Sequence, residues 1–89
     1  MNMNLQDFMS FLHDNKLIDL DNLLRNNEIG CINRLKLQKY VYLAQTCLDN
    51  EFGYEYNMYN NGPYSPELAN YYYEKINVNT MSVVVKAGN

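Results

Sequence analysis

The residue types that most often do chemistry are scarce in this chain, and none is spaced to meet a partner. His13 is the sole histidine, and Cys31 and Cys47 are the sole cysteines, in 89 residues. A zinc site would have to draw His13, both cysteines and a carboxylate from scattered positions, without the local ligand pair that such sites use. A nucleophile needs a base within hydrogen-bond reach, and no spacing brings His13 to a cysteine or serine. Gly30, Gly53, Gly62 and Gly88 are too dispersed to cradle a phosphate. Asp49, Glu51 and Glu55 gather in one stretch and read as a solvated edge. The expectation is no catalytic centre, no metal and no cofactor. His13 is then expected on the polar side of a helix and Cys47 in the core as a small apolar side chain.

Binding chemistry is better represented. Seven of the nine tyrosines fall between Tyr54 and Tyr73, and tyrosine joins a large apolar area to a polar tip, which suits core edges and binding hot spots alike. Alternation along Tyr54–Met58 sends Tyr54, Tyr56 and Met58 inward and leaves Tyr59, Tyr64 and Tyr71 as surface candidates. Arg34, Lys36 and Lys39 form a second group, on a helix whose exposed side can meet a partner protein or phosphates. The net charge of −3 and pI near 4.9 weigh against phosphates, because a nucleic-acid footprint is usually basic. The partner-binding surface is therefore expected at Arg34, Lys36, Lys39, Tyr59, Tyr64 and Tyr71. A winged-helix DNA-binding regulator is the alternative reading.

These residues need a scaffold, and composition allows one. With 47% apolar and 19% charged residues, the chain can bury a core and is a single domain over 1–89. No apolar run approaches the roughly 20 residues that span a bilayer, and the start lacks a basic targeting segment. No membrane contact is expected. Two cysteines are too few for a secreted disulfide framework, so reduced thiols and a cytoplasmic setting are expected.

Asn4 caps a helix running to about Asp14, with Leu5, Phe8, Met9 and Leu12 on one face. Asp19–Asn27 carries Leu20, Leu23 and Leu24 at helical spacing and ends in a loop through Gly30. Asn33 is read as the cap of the clearest helix, whose stripe is Leu37, Tyr40, Val41, Ala44, Cys47 and Leu48, with Leu43 beside it and also buried. Arg34, Lys36 and Lys39 then crowd the positive end of its dipole. Tyr54–Tyr59 reads as a strand, Gly62-Pro63 as a turn, and Ser65-Pro66-Glu67 as the cap, first position and acidic first turn of a helix to about Ile76. Asn77–Thr80 is a loop and Met81–Lys86 a second strand. The fold class is α+β and mainly helical, with three to four helices and a small antiparallel sheet or hairpin. Residues 1–30 form an N-terminal helical extension to a core over 31–89. More chain after Asn89, or another protomer in a homo-oligomer, would complete the sheet.

Two of these pieces together resemble a known family. Arg34-Leu35-Lys36-Leu37-Gln38-Lys39-Tyr40-Val41-Tyr42-Leu43-Ala44-Gln45 is similar to the opening helix of the SocA-like antitoxin domain, also called Panacea, and of a related group of uncharacterised bacterial and archaeal proteins. In both, an aromatic strand follows and leads through a Tyr/Gly/Pro corner into a helix, as in Tyr54–Tyr59 and Gly62-Pro63-Tyr64-Ser65-Pro66-Glu67-Leu68. The match covers roughly Arg34 to Tyr73. The resemblance implies a small non-enzymatic module that binds another protein. In the antitoxin members that partner is a toxin, neutralised or handed to a protease. Gly62, Pro63 and Tyr64 carry over as corner residues.

Overall fold

Asn4, Asp19, Asn27 and Ser65 each turn a side-chain oxygen onto a backbone N–H two or three residues ahead. Each starts a helical segment in this way. The computed structural model describes residues 2–76. In order they form α1 (Leu5–Asp14), a 3₁₀ turn (Leu20–Asn22), α2 (Glu28–Cys47), β1 (Asn57–Tyr59), β2 (Gly62–Tyr64), α3 (Pro66–Tyr71) and a π-helical turn (Tyr72–Ile76). Three α-helices and one two-stranded antiparallel sheet make the mainly helical α+β fold that the residue pattern predicts. The expected loop Asn77–Thr80 and strand Met81–Lys86 lie outside the described residues.

α2 starts at Asn27 rather than at Asn33. Asn27 is extended (φ −152°, ψ −178°) and caps the Gly30 N–H at 2.9 Å, while Glu28 places an anion in the first turn. Gly30 belongs to the helix and not to a loop, because the preceding chain runs directly over it. A Cβ there would lie 2.0 Å from the Arg25 carbonyl oxygen, so only glycine fits. Asn33 is buried in mid-helix instead, accepting the Asp19 N–H at 2.7 Å and donating to the Ile29 carbonyl at 2.9 Å. The earlier start also moves Arg34, Lys36 and Lys39 beyond the first turn, where the dipole no longer opposes them. At the other end Asp49 adopts φ +54°, which lets the Asn50 N–H reach back to the Ala44 carbonyl and stops the helix.

The segment Asp19–Asn27 is helical only over Leu20–Asn22. It is cut short because Arg34 reaches across and donates from Nη1 to the Leu23 and Arg25 carbonyls, at 2.8 and 2.9 Å. The core joins α1, this segment, α2 and α3 through Phe8, Met9, Leu12, Ile18, Leu23, Leu37, Val41, Ala44, Leu68, Ala69 and Tyr72. Residues below 30 thus share one core with those above. Leu43 is 47% exposed and Cys47 is exposed, against the expectation that both are buried. The last turn of α2 runs past the end of the core, and a single face is covered. Cys31 and Cys47 sit near opposite ends of this helix, on the order of 24 Å apart at the α-helical rise, too far for a disulfide.

Candidate functional site

The aromatic segment is held to α2 by two glutamines. Gln38 is fully buried. It donates from Nε2 to the Ser65 carbonyl at 3.0 Å and accepts the Ser65 N–H at Oε1, 2.8 Å. Gln45, two helical turns on, treats Tyr54 in the same way, at 3.1 and 3.0 Å. Seven residues apart on a helix is one face, so the two amides pin both ends of the chain between Tyr54 and Ser65 to one side of α2. This explains why the strand is shorter than Tyr54–Tyr59. The N–H and C=O of Tyr54 bond to a side chain, and the ladder begins only at Asn57.

Between the pins the chain folds into a hairpin with Asn57 opposite Tyr64, Met58 opposite Pro63 and Tyr59 opposite Gly62. The turn is Asn60-Asn61, not Gly62-Pro63. Neither asparagine has positive φ, and the left-handed backbone the connection needs falls on Gly62 (φ +108°), where the missing Cβ removes the strain. The Lys39 side chain lies against Gly62, its Cε 3.2 Å from where a Cβ would be. Gly62-Pro63-Tyr64 forms β2, and Ser65 then caps α3 through Oγ to the Leu68 N–H at 3.2 Å.

A groove of about 350 Å³ opens between this hairpin and α2, lined by Leu35, Tyr59, Asn61, Gly62, Pro63 and Tyr64. Tyr59 and Tyr64 lie diagonally across the ladder on one face, their rings edge to face with centroids 5.9 Å apart. Tyr59 is 57% exposed, whereas Tyr64 is half-buried and packs on the core. One wall of the site is therefore anchored and the other is free to meet a ligand.

Of the six residues expected to bind a partner, Tyr59 and Tyr64 come together here and Lys39 borders them. The other three are elsewhere. Arg34 is committed to the Leu23 and Arg25 carbonyls, with its guanidinium 6.0 Å from the centre of the Tyr73 ring. Lys36 lines a second cavity of about 330 Å³ with His13, Lys16, Leu17, Ile18, Asp19 and Asn33. Tyr71 is half-buried against the core. Of the three side chains expected to point inward, Tyr54 and Tyr56 pack on the core, but Met58 is 66% exposed. Leu35, Asn61, Gln38 and Gln45 were not in the expected site. The signal for the glutamines was two amides seven residues apart beside an apolar stripe.

His13 and Asp19 make structural contacts. His13 is half-buried and accepts the Leu20 N–H at Nδ1, 3.1 Å, joining α1 to the 3₁₀ turn. The hydrogen bond from Asn22 holds the Asp19 carboxyl below its ordinary range. Burial pushes the Tyr72 hydroxyl up to about 12, and it raises the Tyr56 hydroxyl as well. The Tyr56 oxygen is buried without a hydrogen-bond partner among the described residues, its ring edge-on to Tyr42 at 5.2 Å. Among the described residues no three His, Cys, Asp or Glu side chains are grouped to hold a metal ion, and no helix is long and apolar enough to cross a membrane. No family model, curated protein or solved structure matches the chain.

Proposed function

We propose that this protein is a non-enzymatic binding module that takes an apolar side chain of a partner protein into the groove lined by Leu35, Tyr59 and Tyr64. The observation that carries the reading is the apolar groove walled by these two rings on a doubly pinned hairpin. Aromatic anchors with few rotatable bonds, fixed before binding, lose little entropy when a partner docks. The resemblance to the SocA-like antitoxin domain supports a toxin as that partner, with a protease as the next recipient. Two thiols with no disulfide partner in reach support a cytoplasmic setting. DNA binding has less support, because Arg34 is occupied, Lys36 lines the cavity beside His13 and Lys39 lies against Gly62.

The structure changes which tyrosine is the informative one. Tyr64 packs on the core, so its loss would mix stability with binding. Tyr59 is exposed and separates the two. With the protein that co-purifies with the full chain and is encoded beside it, Tyr59→Ala is expected to weaken binding by about 2 kcal/mol, roughly thirtyfold, at an unchanged melting temperature. Unchanged affinity in titration calorimetry would remove the groove as the interface. Duplex DNA is the control. Binding that weakens steeply with salt would favour the regulator reading instead.

A further inference from the structure

Pro63 sets the hydrogen-bonding phase of the hairpin. It has no N–H, so Met58↔Pro63 is the non-hydrogen-bonded pair, and Tyr59↔Gly62 and Asn57↔Tyr64 carry the ladder. The N–H and C=O of Met58 therefore point outward, away from β2. The two outer edges are finished differently. On the β2 side Pro63 offers no donor, and the next outward residue, Ser65, is held by Gln38. On the β1 side the backbone groups of Tyr56 and the outward groups of Met58 bond to no described residue. Apart from its short length, that edge carries no chemical guard against strand addition, since Asn57-Met58-Tyr59-Asn60-Asn61 contains no charge and no proline.

We infer that a second copy of this chain pairs its β1 antiparallel to this one, about a two-fold axis at Met58. In that register Met58 opposes Met58 of the partner subunit and Asn57 opposes Tyr59, the full length of β1. Each opposition recurs as its mirror, as a two-fold contact requires. The nearest charge, Glu55, lies before β1, so no like charges face each other in the pairing. The product is a four-stranded sheet, β2-β1-β1-β2, in place of a two-stranded ribbon below the size that is stable by itself. The pairing uses the backbone edge of β1 and not the Leu35–Pro63 groove, so it stands or falls apart from the partner reading.

Met58→Pro is the direct test, because it repeats on β1 what Pro63 does on β2: it removes an outward N–H and leaves the ladder intact. In sedimentation equilibrium of the full chain between about 10 μM and about 1 mM, the wild-type mass is expected to climb toward twice 10.5 kDa. Met58→Pro should stay at one chain's mass with an unchanged far-UV spectrum. Met58→Lys keeps the backbone donors but sets two cations face to face, and is expected to weaken association at least tenfold. A wild-type chain that stays monomeric throughout, or equal association of all three proteins, overturns the proposal. So does a Met58 amide protected from exchange equally in dilute and concentrated protein, which would mean that residues 77–89 of the same chain cover the edge.

Discussion

The amide of Gln38 meets the backbone of Ser65 as one strand meets another, donating and accepting at a single residue. Gln45 does the same at Tyr54, and Asn50, also buried, at Met3. Side chains thus satisfy backbone groups that an extra strand would otherwise pair. In Gln38→Ala the buried Ser65 N–H loses its partner, while the Ser65 C=O keeps the Ala69 N–H at 3.1 Å. At about 1–3 kcal/mol for an orphaned group, a loss of about 2 kcal/mol in urea unfolding is expected, and a loss below about 0.5 kcal/mol would show that the pin is not structural. The Tyr56 hydroxyl is the opposite case, desolvated with no partner among the described residues. Tyr56→Phe removes only that oxygen and keeps the ring on Tyr42. It should gain about 1 kcal/mol, readable as a higher urea midpoint at unchanged slope.

At the scale of elements, α2 organises everything else, and its first turn depends on Gly30. Glycine inside a helix is ordinarily a weakness, and replacing it with alanine should gain about 1 kcal/mol. Here the new methyl would strike the Arg25 carbonyl oxygen, which is backbone and cannot swing aside. Moving it would also break the bonds from Arg34 that end the 3₁₀ segment. Gly30→Ala is therefore expected to lose about 3 kcal/mol by calorimetry, and it is the sign that tests the packing. Helix starts were legible where a cap stood alone. Asn4 and Ser65 act as their positions suggest, but Asn33 offered a false start because a buried asparagine bonding two distant backbone groups looks, in sequence, like a cap. The tail of α2 misled for a related reason. Leu43 and Cys47 continue the apolar pattern after the elements that would cover them have ended.

At the scale of the whole molecule, residues 2–30 and residues 31–76 share one apolar interior. Phe8, Met9, Leu12, Ile18 and Leu23 pack in the same cluster as Leu37, Val41 and Leu68, and Phe8 meets Phe52 at 5.4 Å. Asn50 adds a polar tie to Met3 at the far end of α2. Deleting residues 1–30 would strip one side of that cluster together with the Asn27 cap. The remainder is expected to lose its cooperative thermal transition by circular dichroism, and a shortened chain melting within a few degrees of the full one would show that the two parts are separable.

Periodicity and caps determined by themselves where α1 lies, the body of α2 and the start of α3, that an aromatic extended segment precedes a Ser-Pro helix start, and that Tyr59 and Tyr64 flank one corner. Those features are local, written in neighbours three or four residues apart. Tertiary structure alone decided where the hairpin turns, which tyrosine faces solvent, and that Arg34 ties a loop while Lys39 borders the groove. Each of these depends on which distant backbone group a side chain finds. Gln38 to Ser65 spans 27 residues of sequence, and no local pattern encodes a partner so far away.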